Sequence, residues 1–344
     1  MSPPPYRRFL HYPAYVVDGP RRRQAVVFLI KNLLSRRAGN VFGRQSGTWY
    51  LKRAYAKLLR AGLWRHSLRP CQCDAFSALI ESAPIEPDLL IEARRFLRII
   101  SIRERKVLSY LKNLAERWAL RNEVYARKKF AKSPYVPQLL YTDAARSYFI
   151  EELRPGTCST STASSSDPAA IDMMLSALES LADLAGQADL DAASYATQLK
   201  QDVCASPDFP SHHYPRIHRF AETTRTLGGV PATLAHCDMR ADQVLWADDN
   251  RFSFLDWEFL RVRSVWFDQL ALILNSPGLS VRDMARILPA IVRNYDARAV
   301  ISMFLLEAAH QGLVSTIRKR NHERFFQVLQ AYEHRLLEAG QLLQ

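Results

Sequence analysis

The stretch of residues 234 to 259 constrains this chain most, because it sets polar residues at fixed offsets beside two short apolar runs. The first run covers 244 to 246 and the second covers 252 to 255. Residues 247 to 250, Ala-Asp-Asp-Asn, have the composition of a turn. Two apolar runs of strand length joined by such a turn predict a β-hairpin with polar groups at its outer ends.

Three polar side chains flank the predicted hairpin. Asp238 and Gln243 precede the first strand and Asp256 follows the second, so we expect the hairpin to bring all three together. A carboxylate and an amide carbonyl are oxygen ligands that suit Mg²⁺ when nucleotide phosphates supply further ligands. A second carboxylate that does not bind the metal is suited to accept a hydroxyl proton. These residue types favour a site that combines a metal with a general base.

The order of these residues resembles the catalytic hairpin of the aminoglycoside phosphotransferase and choline kinase group, kinase-like enzymes with small-molecule substrates. The pattern of that group is H-x-D-x-x-x-x-N followed by an Asp on a strand, and here it is His236-Cys237-Asp238, then Gln243, then Asp256. The resemblance implies Asp238 as the catalytic base, Gln243 and Asp256 as Mg²⁺ ligands, and ATP as the phosphoryl donor. Gln243 departs from the usual Asn but keeps the amide carbonyl, on a side chain one methylene longer.

The fold class implied by the resemblance is α+β. It is a two-lobed protein-kinase-like fold, in which a small mixed lobe has an antiparallel sheet and a larger, mainly helical lobe carries the catalytic hairpin. The sequence before the Ser/Thr-rich stretch at 157–167 matches the order of the small lobe, with a helix that ends before Ser133-Pro134. The predicted elements are two strands at 96–102 and 107–111, a helix at 113–132, and a hairpin of 138–141 with 147–151.

The same resemblance implies the residues that contact the nucleotide. Lys112 takes the place of the phosphate-binding lysine, with Lys106 as the alternative, and Glu123 is its partner on the helix. Glu151 and Leu153 belong to the hinge segment Glu151-Glu152-Leu153. Asp268 corresponds to an Asp that braces the catalytic loop through backbone hydrogen bonds, so we place it outside the site.

The positive charge of the chain is concentrated near its N-terminus. Residues 1–70 contain fifteen Lys or Arg and one Asp, whereas the rest contains 32 Lys or Arg and 33 Asp or Glu. Helices are predicted at 25–36 and 48–61, the second with one apolar and one basic face. Such a segment attracts an anionic membrane surface or an acidic glycan, while the absence of a nucleic-acid-binding motif disfavours nucleic acid.

This charge division suggests three domains. Residues 1–92 form a basic, mostly helical N-terminal extension, 93–155 form the small nucleotide-binding lobe, and 156–344 form the large catalytic and substrate lobe. The sequence has no run of 18 apolar residues and no signal-peptide-like apolar region. Its five cysteines are an odd number without metal-site spacing. We therefore expect a cytoplasmic protein. Two alternatives remain for the basic helix at 48–61: packing of its apolar face on the protein, which we favour, or peripheral binding at the inner face of the membrane.

The function that these features predict is an ATP-dependent phosphotransferase. It would transfer the γ-phosphoryl group to a hydroxyl of a small molecule, which is a sugar, an aminoglycoside-like compound or an amino-alcohol. Two alternatives remain open. The change at Gln243 and the absence of any glycine between Gly62 and Gly156, where a phosphate loop is expected, favour a pseudokinase. The basic residues 1–70 favour an adaptor that binds a polyanion or a membrane without catalysis.

Overall fold

The computed structural model describes most of the chain after residue 82 and short strands before it. The described residues are 6–9, 14–17, 24, 68–71, 82–154, 156–158, 168–206, 209–240, 243–247, 251–276, 279–314 and 322–341. The predicted helices at 25–36 and 48–61 lie outside them. The chain forms two compact units: unit 1 is Met1–Ala163 with Asp242–Glu258, and unit 2 is Ser164–Ala241 with Phe259–Gln344.

Unit 1 is built on an antiparallel sheet of eight described strands in the order β3-β1-β2-β4-β5-β6-β8-β7. The predicted strands of residues 96–151 are confirmed with small shifts at their ends. The strands are β1 (Tyr6–Phe9), β2 (Ala14–Val17), β3 (Leu68–Cys71), β4 (Leu89–Glu92), β5 (Phe96–Ser101), β6 (Lys106–Leu111), β7 (Leu139–Asp143) and β8 (Tyr148–Glu152).

The predicted helix of unit 1 is shorter than expected at both ends. A 3-10 turn at Leu114–Glu116 comes first, and the side chain of Asn113 caps it by accepting the N–H of Ala115 at 3.0 Å. The α-helix, α1, then spans Arg117–Lys129. An Asn in extended conformation at this position satisfies an N–H that has no helical partner, which fixes where the helical segment begins.

The sheet has two different faces, because side chains alternate along each strand. On one face, buried aliphatic and tyrosine side chains pack around Ile85; they are Leu90, Leu97, Ile99, Leu108, Tyr110, Tyr148 and Ile150. On the other face, Phe96, Leu111 and Phe149 pack against Ala119 and Leu120 of α1. We call this second side the helix-facing side of the sheet.

A buried ionic network joins α1 to the helix-facing side. Arg127 of α1 pairs with Glu123 one turn earlier and donates from Nε to Glu151 of β8 at 2.6 Å. The guanidinium carbon of Arg127 lies 4.8 Å from the ring centroid of Phe149. Each of the three charged groups is buried, so each depends on the others for the hydrogen bonds that water would supply.

The predicted hairpin at 244–255 is confirmed and belongs to unit 1. Strands β12 (Val244–Trp246) and β13 (Phe252–Phe254) pair with each other, and β9 (Thr157–Cys158) extends them to a three-stranded sheet in the order β13-β12-β9. Gly156 lies where the chain approaches β12. A Cβ built on Gly156 would lie 2.5 Å from the carbonyl oxygen of Trp246, so only glycine fits there.

Unit 2 is mainly helical. Its described helices are α2 (Pro168–Ala185), α3 (Ala192–Cys204), α4 (Tyr214–Thr224), α5 (Phe267–Asn275), α6 (Val281–Val292), α7 (Ala297–Val314) and α8 (His322–Gln341). A small antiparallel sheet accompanies them, with β11 (Gly229–Ala235) between β10 (Ala188–Asp191) and β14 (Arg261–Ser264). None of the described helices has the length and apolar character that crossing a membrane requires.

These units differ from the three predicted domains. The four described strands before residue 92 are part of the unit 1 sheet, and Leu90 of β4 faces Ile99 of β5 across the boundary predicted at residue 92. The hairpin groups with unit 1 and not with residues 156–344. The change from a strongly basic to a nearly neutral sequence at residue 70 therefore does not coincide with a structural boundary. Pairing between strands that are distant in sequence determines which residues belong to the sheet.

We predict that Gly156→Ala destabilises the protein, whereas Gly229→Ala does not. The first change forces a Cβ against the backbone of β12. Overpacking of this kind costs about 1–3 kcal/mol. A Cβ at Gly229 meets nothing within 4 Å, so the control removes a glycine without a clash. Thermal unfolding of the two variants measures the difference, and equal midpoints would contradict the close approach at Gly156.

Candidate active site

In unit 2 the end of β11 leads into the segment His236-Cys237-Asp238, which one buried carboxylate holds. Asp268, in the first turn of α5, accepts the backbone N–H of His236 at 2.5 Å and that of Cys237 at 3.0 Å. Burial raises the pKa of Asp268, and the two N–H donors act in the opposite direction. The bracing role predicted for Asp268 is confirmed by these contacts.

The backbone at this segment has an unusual conformation. Cys237 has a φ of +64°, which is uncommon for a residue that is not glycine. The Cys237 side chain is buried, and burial raises the pKa of its thiol, so the thiol is not a nucleophile at neutral pH. The left-handed turn at Cys237 reverses the chain between His236 and Asp238, and the bonds from Asp268 maintain it.

Asp238 is positioned but not buried. Its side chain is 17% exposed, and Arg240 donates to its Oδ2 at 3.3 Å. The N–H of Asp238 donates to Nδ1 of His236 at 3.3 Å, which places the ring proton of a neutral His236 on Nε2. A carboxylate that solvent reaches and that a braced loop orients has the properties of a general base.

We predict that Asp268→Asn lowers the free energy of unfolding by about 1–3 kcal/mol, the cost of leaving a buried donor without its acceptor. An amide can accept with one oxygen only, so one of the two backbone N–H groups loses its partner. Chemical denaturation measures the loss. The matched control is Asp189→Asn, which makes the same change at an exposed residue of β10. Equal stability of the two variants would show that Asp268 does not brace the loop.

In unit 1 the hairpin holds Gln243 and Asp256 at its open end. The N–H of Leu255 donates to the backbone carbonyl of Gln243 at 2.9 Å, which ties the two segments together. The Gln243 side chain is buried, whereas Asp256 is partly exposed and has a φ of +62°. The sequence prediction that the hairpin brings these two residues together is supported for this pair.

The residue after Asp256 anchors this part of the hairpin. The indole N–H of Trp257 donates to the carbonyl of Phe254 at 3.2 Å, and its ring lies 5.1 Å from that of Phe130. Trp257 is almost completely buried. Packing of this side chain fixes the left-handed conformation at Asp256, which Asp tolerates better than most residues.

Two arginines from β5 and the segment before it meet the acidic end of the hairpin. Arg98 pairs with Asp256, and Arg95 pairs with Glu258 at 2.5 Å and with Glu116 at 3.0 Å. Burial and the nearby Asp256 carboxylate raise the pKa of Glu258 to about 8, against the attraction of Arg95. The sequence reading missed both arginines, although a charged residue inside the apolar strand at 96–101 was a signal that could have identified Arg98.

The predicted pairing of Lys112 with Glu123 is absent. Lys112 follows the end of β6, and its Nζ donates to Glu92 at 3.0 Å and to the carbonyl of Ala93 at 3.2 Å. Glu123 is buried against Arg127, which is one turn away on the same helix and reaches it more easily than a residue beyond the strand end. Lys106, the alternative, pairs with Glu104 at 2.8 Å.

The predicted hinge is already engaged in hydrogen bonds within unit 1. The Glu151 carboxylate is taken up by Arg127, and the N–H of Leu153 donates to the carbonyl of Arg105 at 2.7 Å. The N–H of Glu152 donates to the carbonyl of Gln138 at 2.9 Å. A nucleotide contact by Glu151 or Leu153 stays a prediction, and it would have to use groups other than these.

The residues of the hairpin fit a divalent metal that takes few protein ligands. Gln243 contributes a buried amide and Asp256 a partly exposed carboxylate, both hard oxygen donors. No cluster of three or more His, Cys, Asp or Glu side chains suited to a metal occurs among the described residues. This small donor set suits Mg²⁺, which keeps several waters or phosphate oxygens, and does not suit a metal that requires a full protein cage.

Comparison with solved structures shows the fold. Choline kinase LicA from Streptococcus pneumoniae has a TM-score of 0.52 and 13% identity, and the match covers 77% of this chain and 97% of that one. A choline/ethanolamine kinase family protein from Mesorhizobium loti has a TM-score of 0.51 and 16% identity, with 77% and 94% covered. The GDP complex of aminoglycoside 2'-phosphotransferase-IIIa has a TM-score of 0.53 and 12% identity, with 77% and 99% covered.

The described chain has the kinase-like fold of these proteins. The predicted fold class, with an antiparallel sheet in one unit and mainly helices in the other, is confirmed. No protein-family model matches the sequence. No curated protein sequence matches it either. At 12–16% identity the similarity to these proteins shows the fold alone.

Proposed function

We propose that this protein is a phosphotransferase that transfers the γ-phosphoryl group of ATP to a hydroxyl of a small molecule. The observation that carries the proposal is the His236-Cys237-Asp238 segment, held by Asp268 on a kinase-like fold. Such bracing fixes the position of one carboxylate while leaving it accessible. The acceptor class we propose is a sugar, an aminoglycoside-like compound or an amino-alcohol, in line with the choline kinases and aminoglycoside phosphotransferases that share the fold.

Each polar residue has a separate role in this proposal. Asp238 orients the acceptor hydroxyl and takes its proton, while Arg240 holds the carboxylate and the bond from the backbone N–H to His236 holds the main chain. Gln243 and Asp256 bind Mg²⁺, which when bound neutralises charge on the nucleotide phosphates. The hard oxygen donors of the hairpin support this assignment.

The test is phosphoryl transfer by the full chain with Mg-ATP or Mg-GTP and a panel of hydroxyl compounds. We expect turnover with at least one acceptor, and a loss on the order of 10²–10⁴-fold in Asp238→Asn, the contribution of a positioned base. Nucleotide affinity should persist in the variant, because Asp238 acts on the acceptor. Asp189→Asn, a change at an exposed carboxylate, is the matched control and should keep full turnover. Unchanged turnover in Asp238→Asn would remove this residue from the proposed role.

A second candidate function is a pseudokinase that binds nucleotide without transferring the phosphoryl group. The ion pair of Arg98 with Asp256 favours it, because a guanidinium occupies an oxygen that the proposed metal needs. The same assay separates the two functions. Nucleotide binding without turnover on any acceptor of the panel would favour the pseudokinase.

The partner and location of the basic residues 1–70 stay predictions. Their fifteen cationic side chains favour an anionic membrane surface or an acidic glycan, and with this a cytoplasmic protein at the inner face of the membrane. The strands β1, β2 and β3 belong to the unit 1 sheet, so removing residues 1–70 would remove strands of that sheet. In this proposal the basic residues are therefore not a separable extension.

A further inference from the structure

We propose that Arg98, and neither Lys112 nor Lys106, is the cation of unit 1 that binds the nucleotide phosphates. This inference rests on the proposed function, because it concerns how the same site takes its nucleotide. Three features of the structure support it: the side of the sheet on which each cation lies, the partners of each cation, and the donors that remain on Arg98.

The alternation of β5 and β6 separates the three cations. Arg98 lies two residues after Phe96 on β5, so both occupy the helix-facing side, where Glu123, Glu151 and Asp256 also meet the arginines. Lys106 has the same parity on β6 as Leu108, and it therefore points to the opposite face. Lys106 is thus separated by the sheet from the carboxylate of Asp256.

Lys112 lies beyond the end of β6, and its ammonium group is bonded to acceptors other than Asp256. It follows the last residue of β6, where its ammonium group bonds with Glu92 and the carbonyl of Ala93. Glu92 is the last residue of β4, and Ala93 begins the connection to β5. Lys112 would have to break both of these hydrogen bonds to bind a phosphate beside Asp256.

Among the three arginines on the helix-facing side, Arg98 is the most available. Arg95 and Arg127 are 1% and 2% exposed, and each is bonded to two carboxylates. Arg98 is 22% exposed, and its recorded ion pair is with Asp256. An anion that enters from solvent therefore reaches Arg98, while Arg95 and Arg127 are committed to holding α1 and the hairpin.

Arg98 also has donor capacity left. Its Nε is buried and has no hydrogen-bond partner among the described residues. Directly opposite on β6 is Ser109, whose buried Oγ also lacks a partner within the described part of the chain. Ser109 adds a hydroxyl on the same face of the sheet. Arginine binds a phosphate through two parallel N–H bonds, so the N–H without an acceptor leaves Arg98 able to form a second bond to a phosphate.

The ion pair with Asp256 neutralises the charge of Arg98 when no nucleotide is bound. Arg98 has a carboxylate acceptor in the nucleotide-free protein and would take phosphate oxygens as acceptors in the complex. Its charge is therefore paired in both states, and the exchange frees the Asp256 carboxylate for the metal that accompanies the nucleotide. The pair positions the phosphate-binding group before the ligand arrives.

The test compares the affinities of the full-length protein and its variants for ATP and for adenosine by calorimetry, with Mg²⁺ and with EDTA. We expect Arg98→Ala to weaken ATP binding by roughly 10- to 100-fold, the size of a lost hydrogen bond to a charged group. Adenosine has no phosphate, so its affinity should stay unchanged. Arg98→Lys, which keeps the charge without the fork, should fall between. Arg121→Ala, an exposed arginine of α1, is the matched control.

A second measurement needs no variant and so is independent of folding. Phenylglyoxal modifies arginine side chains, and mass spectrometry of the wild-type protein reports the modification of Arg98. ATP should protect Arg98 from modification and adenosine should not. Equal modification with and without ATP, at concentrations that saturate binding, would overturn the assignment.

The outcomes distinguish this inference from the function on which it rests. ATP affinity that is kept in Arg98→Ala and lost in Lys112→Ala would overturn the role of Arg98 and leave the phosphotransferase proposal intact. Failure of the wild-type protein to bind either ATP or GTP would overturn the proposed function itself. Loss of ATP affinity in Arg98→Ala with unchanged adenosine affinity supports the role of Arg98, while turnover in the acceptor assay tests the proposed function separately.

Discussion

Pairing of buried charge is the constraint on which the rest of unit 1 depends. Arg127 is buried, and its ion pairs with Glu123 and Glu151 offset the free-energy cost of removing its charge from water. The pairing fixes α1 against β8, and through Asn122, which donates to the carbonyl of Glu258 at 2.7 Å, it fixes α1 against the hairpin end. The position of Asp256 thus follows from contacts that secure the helix.

In unit 2 a buried charge is also stabilised by hydrogen bonds, and here the donors are backbone N–H groups. Asp268 is a buried carboxylate, and the backbone N–H groups of His236 and Cys237 donate to it. Those donors belong to the residues just before Asp238. A conformation with positive φ at Cys237 costs free energy on its own, and the bonds from Asp268 offset that cost. A strained loop that the fold stabilises is what a positioned general base requires.

The sequence predicted what depends on local pattern. The strand-like pattern at 96–111 and the turn residues at 247–250 predicted two hairpins, and both are present. The family pattern predicted the bracing Asp268, which the hydrogen bonds confirm, and it predicted Asp238, Gln243 and Asp256 as site residues, which stays a prediction. These features share a dependence on residues close to one another in the chain.

What the sequence did not predict depends on contacts between distant residues. The pairing of Lys112 with Glu123 was assigned from order along the chain, but Glu92 and Arg127 are nearer partners in the folded sheet. Arg98 was read as part of an apolar strand, because its value as a partner of Asp256 depends on a residue 158 positions away. The membership of β1, β2 and β3 in the sheet was hidden for the same reason.

The measurement that tests the central claim most directly is thermal unfolding of the full chain with Mg-ATP, compared with a polyanion that contains no nucleoside, such as heparin. A ligand that binds only the folded state raises the midpoint of unfolding. Our account predicts a rise with Mg-ATP or Mg-GTP that saturates with nucleotide concentration and persists at high salt. A rise with heparin alone, lost as salt screens the exposed charges, would contradict it and indicate a polyanion-binding protein.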